Sequence, residues 1–187
     1  MKLTICLSIF SMVAFGAFAQ NAGEYNKAMA STVMTIWKDS MTNGNGRSAR
    51  WSYDQDVILK GIEGLWKFTG EGKYFDYIQK STDFFVDNEG NIRTCKFDDY
   101  TLDNILCGRI LLSLYKVTGK EKYYKAAVTL RKQVAQQPRA NEGGFSHKKI
   151  YPDQMWLDGP YMAEPFYAEW AFTFHGDSDF NDIAINL

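Results

Sequence analysis

The densest concentration of reactive side chains lies in the run Glu142-Gly143-Gly144-Phe145-Ser146-His147-Lys148-Lys149-Ile150-Tyr151-Pro152-Asp153-Gln154-Met155-Trp156-Leu157-Asp158-Gly159-Pro160-Tyr161-Met162. Asp158 stands just before Gly159 and Pro160, a setting that suits a helix N-cap with proline in the first turn. It also suits an acid. With Met155, Trp156 and Leu157 beside it, apolar surroundings would disfavour the carboxylate and keep a proton available near neutral pH. One side chain can do both, and spacing does not separate the two roles. Asp103, in Tyr100-Thr101-Leu102-Asp103-Asn104, opens a second apolar element, and capping is its plainer reading. Yet two carboxylates at equivalent ends of consecutive buried helices would face one cleft, where the second could hold a water or a sugar hydroxyl. A lone loop histidine is more often a surface residue. Around His147, however, Phe145, Tyr151 and Trp156 also fit contact with a sugar ring. Lys148 and Lys149 could draw in an acidic sugar, although solvated charge is the plainer account.

These side chains need a scaffold, and the chain repeats one. Leu65-Trp66-Lys67-Phe68-Thr69-Gly70-Glu71-Gly72-Lys73-Tyr74 returns 49 residues later as Leu114-Tyr115-Lys116-Val117-Thr118-Gly119-Lys120-Glu121-Lys122-Tyr123. A weaker third copy runs from Ala171 to Phe180. Each copy has an apolar helix, a glycine at the turn and an aromatic-led second helix. Gly70, Gly119 and Gly176 are the expected left-handed caps, since positive φ costs glycine least. The element before each glycine is apolar on most sides, as a helix buried by several neighbours must be. The first contains Val57, Ile58, Leu59, Ile62, Leu65, Trp66 and Phe68, and the second runs from Leu102 to Val117. The element after each glycine is amphipathic. From Lys122 to Gln137 one face carries Tyr123, Ala126, Ala127, Leu130 and Val134, and the other Lys125, Arg131, Lys132 and Gln136. One further helix, about Tyr25 to Ser40, precedes the first hairpin. No alternating strand pattern appears. Two longer connections, Asp87 to Tyr100 and Pro138 to Gly159, both lead into inner helices, so they belong at one end of a helical toroid, where a ligand cleft would lie.

Composition narrows the function. Lys and Arg total 21 against 22 Asp and Glu, leaving no basic excess for a nucleic-acid partner. Lys2, the apolar run Leu3 to Phe15 and Ala17-Phe18-Ala19 make residues 1–19 a secretory signal peptide, too short and wrongly flanked for a membrane span. Export to the periplasm or exterior is expected, with 20–187 as the mature domain. Cys95 and Cys107 then remain, and two packed thiols are favoured over a bridge. No CxxC pair and no HExxH occur, so neither a metal nor another cofactor is expected.

The runs Gly143-Gly144-Phe145-Ser146-His147-Lys148, Tyr151-Pro152-Asp153-Gln154-Met155-Trp156-Leu157-Asp158-Gly159, Tyr161-Met162 and Pro165-Phe166 resemble family 105 of the glycoside hydrolases, the unsaturated rhamnogalacturonyl hydrolases. Leu102-Asp103-Asn104-Ile105-Leu106 with Gly108-Arg109, and the turn from Tyr115 to Gly119, resemble it too. The resemblance implies an all-α fold, the (α/α)6 barrel of helical hairpins. It also implies a substrate, an oligosaccharide ending in a 4,5-unsaturated uronic acid. Hydration of the enol ether double bond would release that residue, so no acid–nucleophile carboxylate pair is required. Asp158 would protonate carbon 4 and activate the water, and Asp103 would support the hydration. His147, Trp156, Tyr161 and Met162 would form the substrate-binding wall. Ser146 departs from the pattern, standing where relatives often carry tryptophan.

A closed ring of six hairpins is roughly twice this long, so about half a toroid is expected, with the C-terminal half or a companion chain missing. Cutting such a ring bares several hundred Å² of apolar surface, on the order of 10 kcal/mol at about 25 cal/mol per Å². The expectation is a fragment, marginally soluble and inactive alone. The alternatives are a non-catalytic helical-repeat scaffold or a carbohydrate-binding remnant. The 49-residue repeat and the long Gly-aromatic loop weigh against a tetratricopeptide-type array, whose period is shorter.

Overall fold

The computed structural model describes residues 23–38 and 49–186; the expected leader over 1–19 and Ser40, the expected end of the first helix, lie outside them. Seven helices are present among the described residues: α1 (23–36), α2 (Tyr53–Thr69), α3 (Gly72–Asp83), α4 (Gly108–Thr118), α5 (Glu121–Gln136), α6 (Gly159–Phe174) and α7 (Asp179–Ile185). The only strand-like pairings among them are two isolated bridges, Val86 with Ile92 and Arg139 with Phe145, each pinching one of the long connections.

The repeat is a repeat of hydrogen bonds as well as of letters. Gly70 (φ 71°) and Gly119 (φ 65°) take the left-handed conformation and donate to the carbonyls of Trp66 and Tyr115, each at 2.8 Å. The threonine before each glycine donates its hydroxyl to the carbonyl four residues back, Leu65 at 2.9 Å and Leu114 at 2.7 Å. That same hydroxyl accepts from the N–H two residues on, of Glu71 and Lys120, at 3.2 Å each. A Thr-Gly pair therefore closes the helix and aims the chain into the next one. The third turn differs from expectation. His175, not Gly176, is left-handed (φ 57°), because α6 ends one residue earlier relative to the repeat.

Helices α2–α3, α4–α5 and α6–α7 pack as hairpins, with α2, α4 and α6 side by side as the inner layer. Leu59, Ile62, Leu65, Ile110, Leu111, Leu114, Ala163 and Phe166 join Tyr123, Ala126, Ala127 and Leu130 of α5 in one buried cluster. Where α4 packs on α6, Gly108 lies against the Phe166 ring with no room for a Cβ. The second inner element does not begin at Leu102 as a regular helix. Leu102–Asn104 is a single 3₁₀ turn, and α4 starts only at Gly108. The Leu102 N–H is taken by the His147 carbonyl at 3.0 Å, which ties this entry to the other long loop. Cys95 and Cys107 are both free thiols. Burial and the Asp99 charge push the Cys95 thiol up to about 11, and Cys107 donates its S–H to the Ser52 carbonyl at 3.0 Å.

The arc is open-sided. Phe68 is 80% exposed and Phe172 78%, and Val57 and Val117 are also exposed. An apolar groove of about 550 Å³ runs between α1 and α2, lined by Met29, Val33, Val57, Ile62 and Phe68.

Candidate active site

The two long loops meet at the N-terminal ends of the inner helices, as their shared position in the repeat requires. Gln137, just past α5, bonds through Nε2 to the carbonyls of Tyr100 (2.7 Å) and Ser146 (2.8 Å). Gln133 reaches the Thr101 carbonyl at 3.0 Å, and the Lys149 N–H donates to the Asp99 carbonyl at 3.3 Å. Two buried glutamines thus stitch one loop to the other.

Asp103 sits at this junction. Its Oδ1 lies 3.2 Å from His147 Nε2 and its Oδ2 2.7 Å from Lys148 Nζ. The carboxylate is occupied by two side chains of the opposite loop, so it is not a helix cap. With Asp103 Oδ1 as the acceptor, Nε2 is the donor, and the buried Nδ1 has no hydrogen-bond partner. The His147 ring stacks on Trp156, which in turn stacks on Tyr151 with centroids 5.4 Å apart. Lys148 Nζ lies 5.9 Å from the centre of the same indole. A polar cleft of about 370 Å³ opens on the Asp103 and Lys148 side, with Arg50, Ser52, Thr94 and Asn104 on its walls. That volume is in the range of small-molecule sites.

The expected site residues divide here. Asp103, His147 and Trp156 come together. His147, however, is 1% exposed, so it lies beneath the Trp156 ring and orients Asp103 instead of lining the cleft surface. Met162 lies on the α6 stripe Gly159, Met162, Ala163, Phe166 and Tyr167 and is buried in the core. Tyr161 is half-exposed, 5.8 Å from the Arg109 guanidinium. Asp158 precedes the first turn of α6, with its carbonyl accepting from the Met162 N–H at 3.0 Å and its side chain making no capping bond. The apolar enclosure expected around it is not formed by the described residues. Asp158 is exposed and Leu157 is 100% exposed, while Met155 and Trp156, although partly exposed, turn toward the loop and not over Asp158.

Three features escaped the motif reading. Lys148 is a partner of Asp103 and not a purely solvated charge. Asp56 and Arg109, at the starts of α2 and α4, form a buried ion pair. Burial pushes the Asp56 carboxyl up to about 6, even though the Arg109 hydrogen bond and charge act to lower it. Glu164 is buried on α6 with neither oxygen hydrogen-bonded. The available signal was a charged residue on an otherwise apolar helix face, as in Met162-Ala163-Glu164-Pro165-Phe166.

Inner helices packed side by side, backed by outer ones, with loops gathered at one end, define an all-α hairpin toroid of the (α/α)6 type, seen here in part. The comparisons agree. The sequence profile described as Glycosyl Hydrolase Family 88 matches residues 25–186, and the chain belongs to that family. A solved structure described as a glycoside hydrolase from family 105 of C. acetobutylicum ATCC 824 superposes with a TM-score of 0.79 at 39% identity, covering 87% of this chain and 43% of that one. The unsaturated rhamnogalacturonyl hydrolase YesR of Bacillus subtilis (strain 168) is 22% identical over 148 residues, 69% of this chain and 41% of its own. The chain thus spans about two fifths of the length of these relatives. The resemblance read from the motifs is borne out.

Proposed function

We propose that this chain carries the acid and loop portion of an active site that removes a 4,5-unsaturated uronic acid from rhamnogalacturonan-type oligosaccharides. The observation that carries the reading is Asp103 held by His147 and Lys148 at the mouth of a polar cleft, in a chain whose family includes glycoside hydrolases. Asp158 delivers a proton to carbon 4, and the π pair of the enol ether forms the new C–H bond. Water adds to carbon 5 and gives its proton back to the Asp158 carboxylate. The resulting hemiketal opens at the bond between carbon 5 and the ring oxygen, and the hemiacetal left at carbon 1 expels the remaining sugar. Asp103 holds water or a hydroxyl, Lys148 faces the uronate carboxylate, and Trp156 and Tyr161 supply ring contacts.

The exposed rims at Phe68 and Phe172 and the open setting of Asp158 support a second part of the proposal. Turnover requires further hairpins that cover these faces and dry the site, and the chain alone is inactive. Residues 1–19 direct export to the periplasm or exterior.

The test compares the chain alone with a fusion to the remaining hairpins of the family 105 relative, using unsaturated rhamnogalacturonan disaccharide. Turnover is followed as loss of the ultraviolet absorbance of the conjugated uronate. The fusion is expected to turn over, and both the chain alone and the fusion carrying Asp158→Asn to be silent. Full activity in the Asp158→Asn fusion would overturn the acid assignment, and activity of the chain alone would overturn the need for further hairpins.

A further inference from the structure

Glu164 is 6% exposed, and both of its carboxyl oxygens lack a hydrogen-bond partner. It borders a cavity of about 10 Å³ walled by Phe145, Met155 and Trp156 from the loop, Gly159 and Pro160 from α6, and Asn186 after α7. A void of that size sits at the lower limit for a single water. An ionised carboxylate needs several solvating donors, and this cavity cannot admit them without moving its walls. The loop is the wall without helical hydrogen bonds of its own, and one bond, from the Phe145 N–H to Asn186 Oδ1 at 2.8 Å, holds it to the segment after α7 at this cavity.

The charged neighbours do not neutralise Glu164. Arg139, ahead of the loop, is committed to Asp182 of α7 through two bonds of 2.8 Å and to the Gly143 carbonyl at 2.7 Å. Asp182 also accepts from Tyr167 of α6 at 3.1 Å. Arg131 of α5 is committed to Asp179 of α7 at 2.9 Å. The loop presents only apolar side chains to the cavity. Burial first, and then the Asp182 charge, push the Glu164 carboxyl up to about 7 against the opposing pull of Arg139.

We propose that Glu164 is a positioning residue: its uncharged carboxyl lets the Gly143–Trp156 loop close onto α6, and its ionisation loosens that loop together with His147, Lys148 and Trp156. The role of that loop in substrate contact rests on the function proposed above, but the loop's response to pH does not. The folded protein holds a proton on Glu164 that the unfolded chain releases near its ordinary value of 4.5. Closure therefore weakens as pH rises from about 4.5 through about 7.

The test is hydrogen exchange of the full chain between about pH 6 and about pH 8, read as protection factors so that intrinsic exchange cancels. In the unsubstituted protein, protection across residues 143–157 is expected to fall about tenfold while α4 is unchanged. In Glu164→Gln, which keeps the shape without the charge, loop protection should stay at its low-pH level throughout. A pH-independent loop in the unsubstituted protein, or an equal fall in Glu164→Gln, overturns the proposal. Asp182→Asn gives a second reading. Removing that negative charge and freeing Arg139 should move the midpoint to lower pH, and an unmoved midpoint counts against the proposal. Loss of loop protection with unaltered catalysis in the completed enzyme would separate this device from the proposed function.

Discussion

The imidazole of His147 lies flat against the indole of Trp156, with ring centroids 4.2 Å apart and planes 10° from parallel. The stack covers the imidazole face while Asp103 engages its edge. The loop is thereby locked to both inner-helix entries by one residue.

Trp156→Ala removes the cover over His147 and the second stack with Tyr151. It is expected to cost at least about 1 kcal/mol, the scale of an aromatic pair beyond its buried area. Trp156→Phe should recover part of this. Urea unfolding measures it, and an unchanged midpoint in Trp156→Ala would show that the stack contributes nothing.

Asp103→Ala leaves the buried His147 Nε2 without an acceptor, at an expected cost of about 1–3 kcal/mol. Lys148→Met removes the partly exposed ion pair, at about 0.2–1 kcal/mol, together with the charge near the Trp156 ring. Denaturant midpoints should therefore rank Asp103→Ala well below Lys148→Met. The reverse order would mean that the lysine, not the imidazole, depends on Asp103.

Two glycines separate rigid from yielding contacts. A Cβ at Gly108 would meet the Phe166 ring in the core, whereas one at Gly144 would meet the sulfur and methyl end of the exposed Met155. Gly108→Ala is expected to destabilise by about 1–3 kcal/mol or more, as overpacking does. Gly144→Ala should cost much less, because Met155 can swing away. Equal losses in thermal unfolding would contradict this account.

Glu63 sets an acid limit opposite in sign to that of Glu164. Burial acts to raise its carboxyl, but hydrogen bonds from Lys60, Lys67 and Ser113 outweigh it and hold the group below its ordinary value of 4.5. The folded state thus binds the proton less readily than the unfolded chain. Its contribution is fully present above about 4.5 and is lost as pH falls through the lower folded value. Glu63→Gln should flatten the acid side of a stability–pH curve, and an unaltered acid side would exclude this pair of lysines as its cause.

Much of the scaffold was legible because it obeys short-range rules. The Thr-Gly turns at Gly70 and Gly119 repeat the same local bonds, and the buried face of α5 follows helical period. The meeting of Asp103 with His147 followed from both loops leading into inner helices. What escaped depends on packing between distant segments. The burial of His147 beneath Trp156 is set by the path of the loop over α6, which periodicity does not encode. The burial of Met162 was legible, since its spacing from Gly159, Ala163, Phe166 and Tyr167 marks a core stripe. Asp158 lies open although Met155, Trp156 and Leu157 adjoin it in sequence, since all three are themselves exposed, and adjacency along a chain is a poor guide to enclosure.

The left-handed histidine at the end of α6 has a consequence for how the molecule comes apart. Two hairpins are latched by glycine, which adopts that backbone freely; the third is latched by a residue that resists it, at the head of a seven-residue helix. Residues 175–178 are also a surface turn. A protease should nick there before it reaches Thr69-Gly70 or Thr118-Gly119, peeling α7 away while the first two hairpins stay folded.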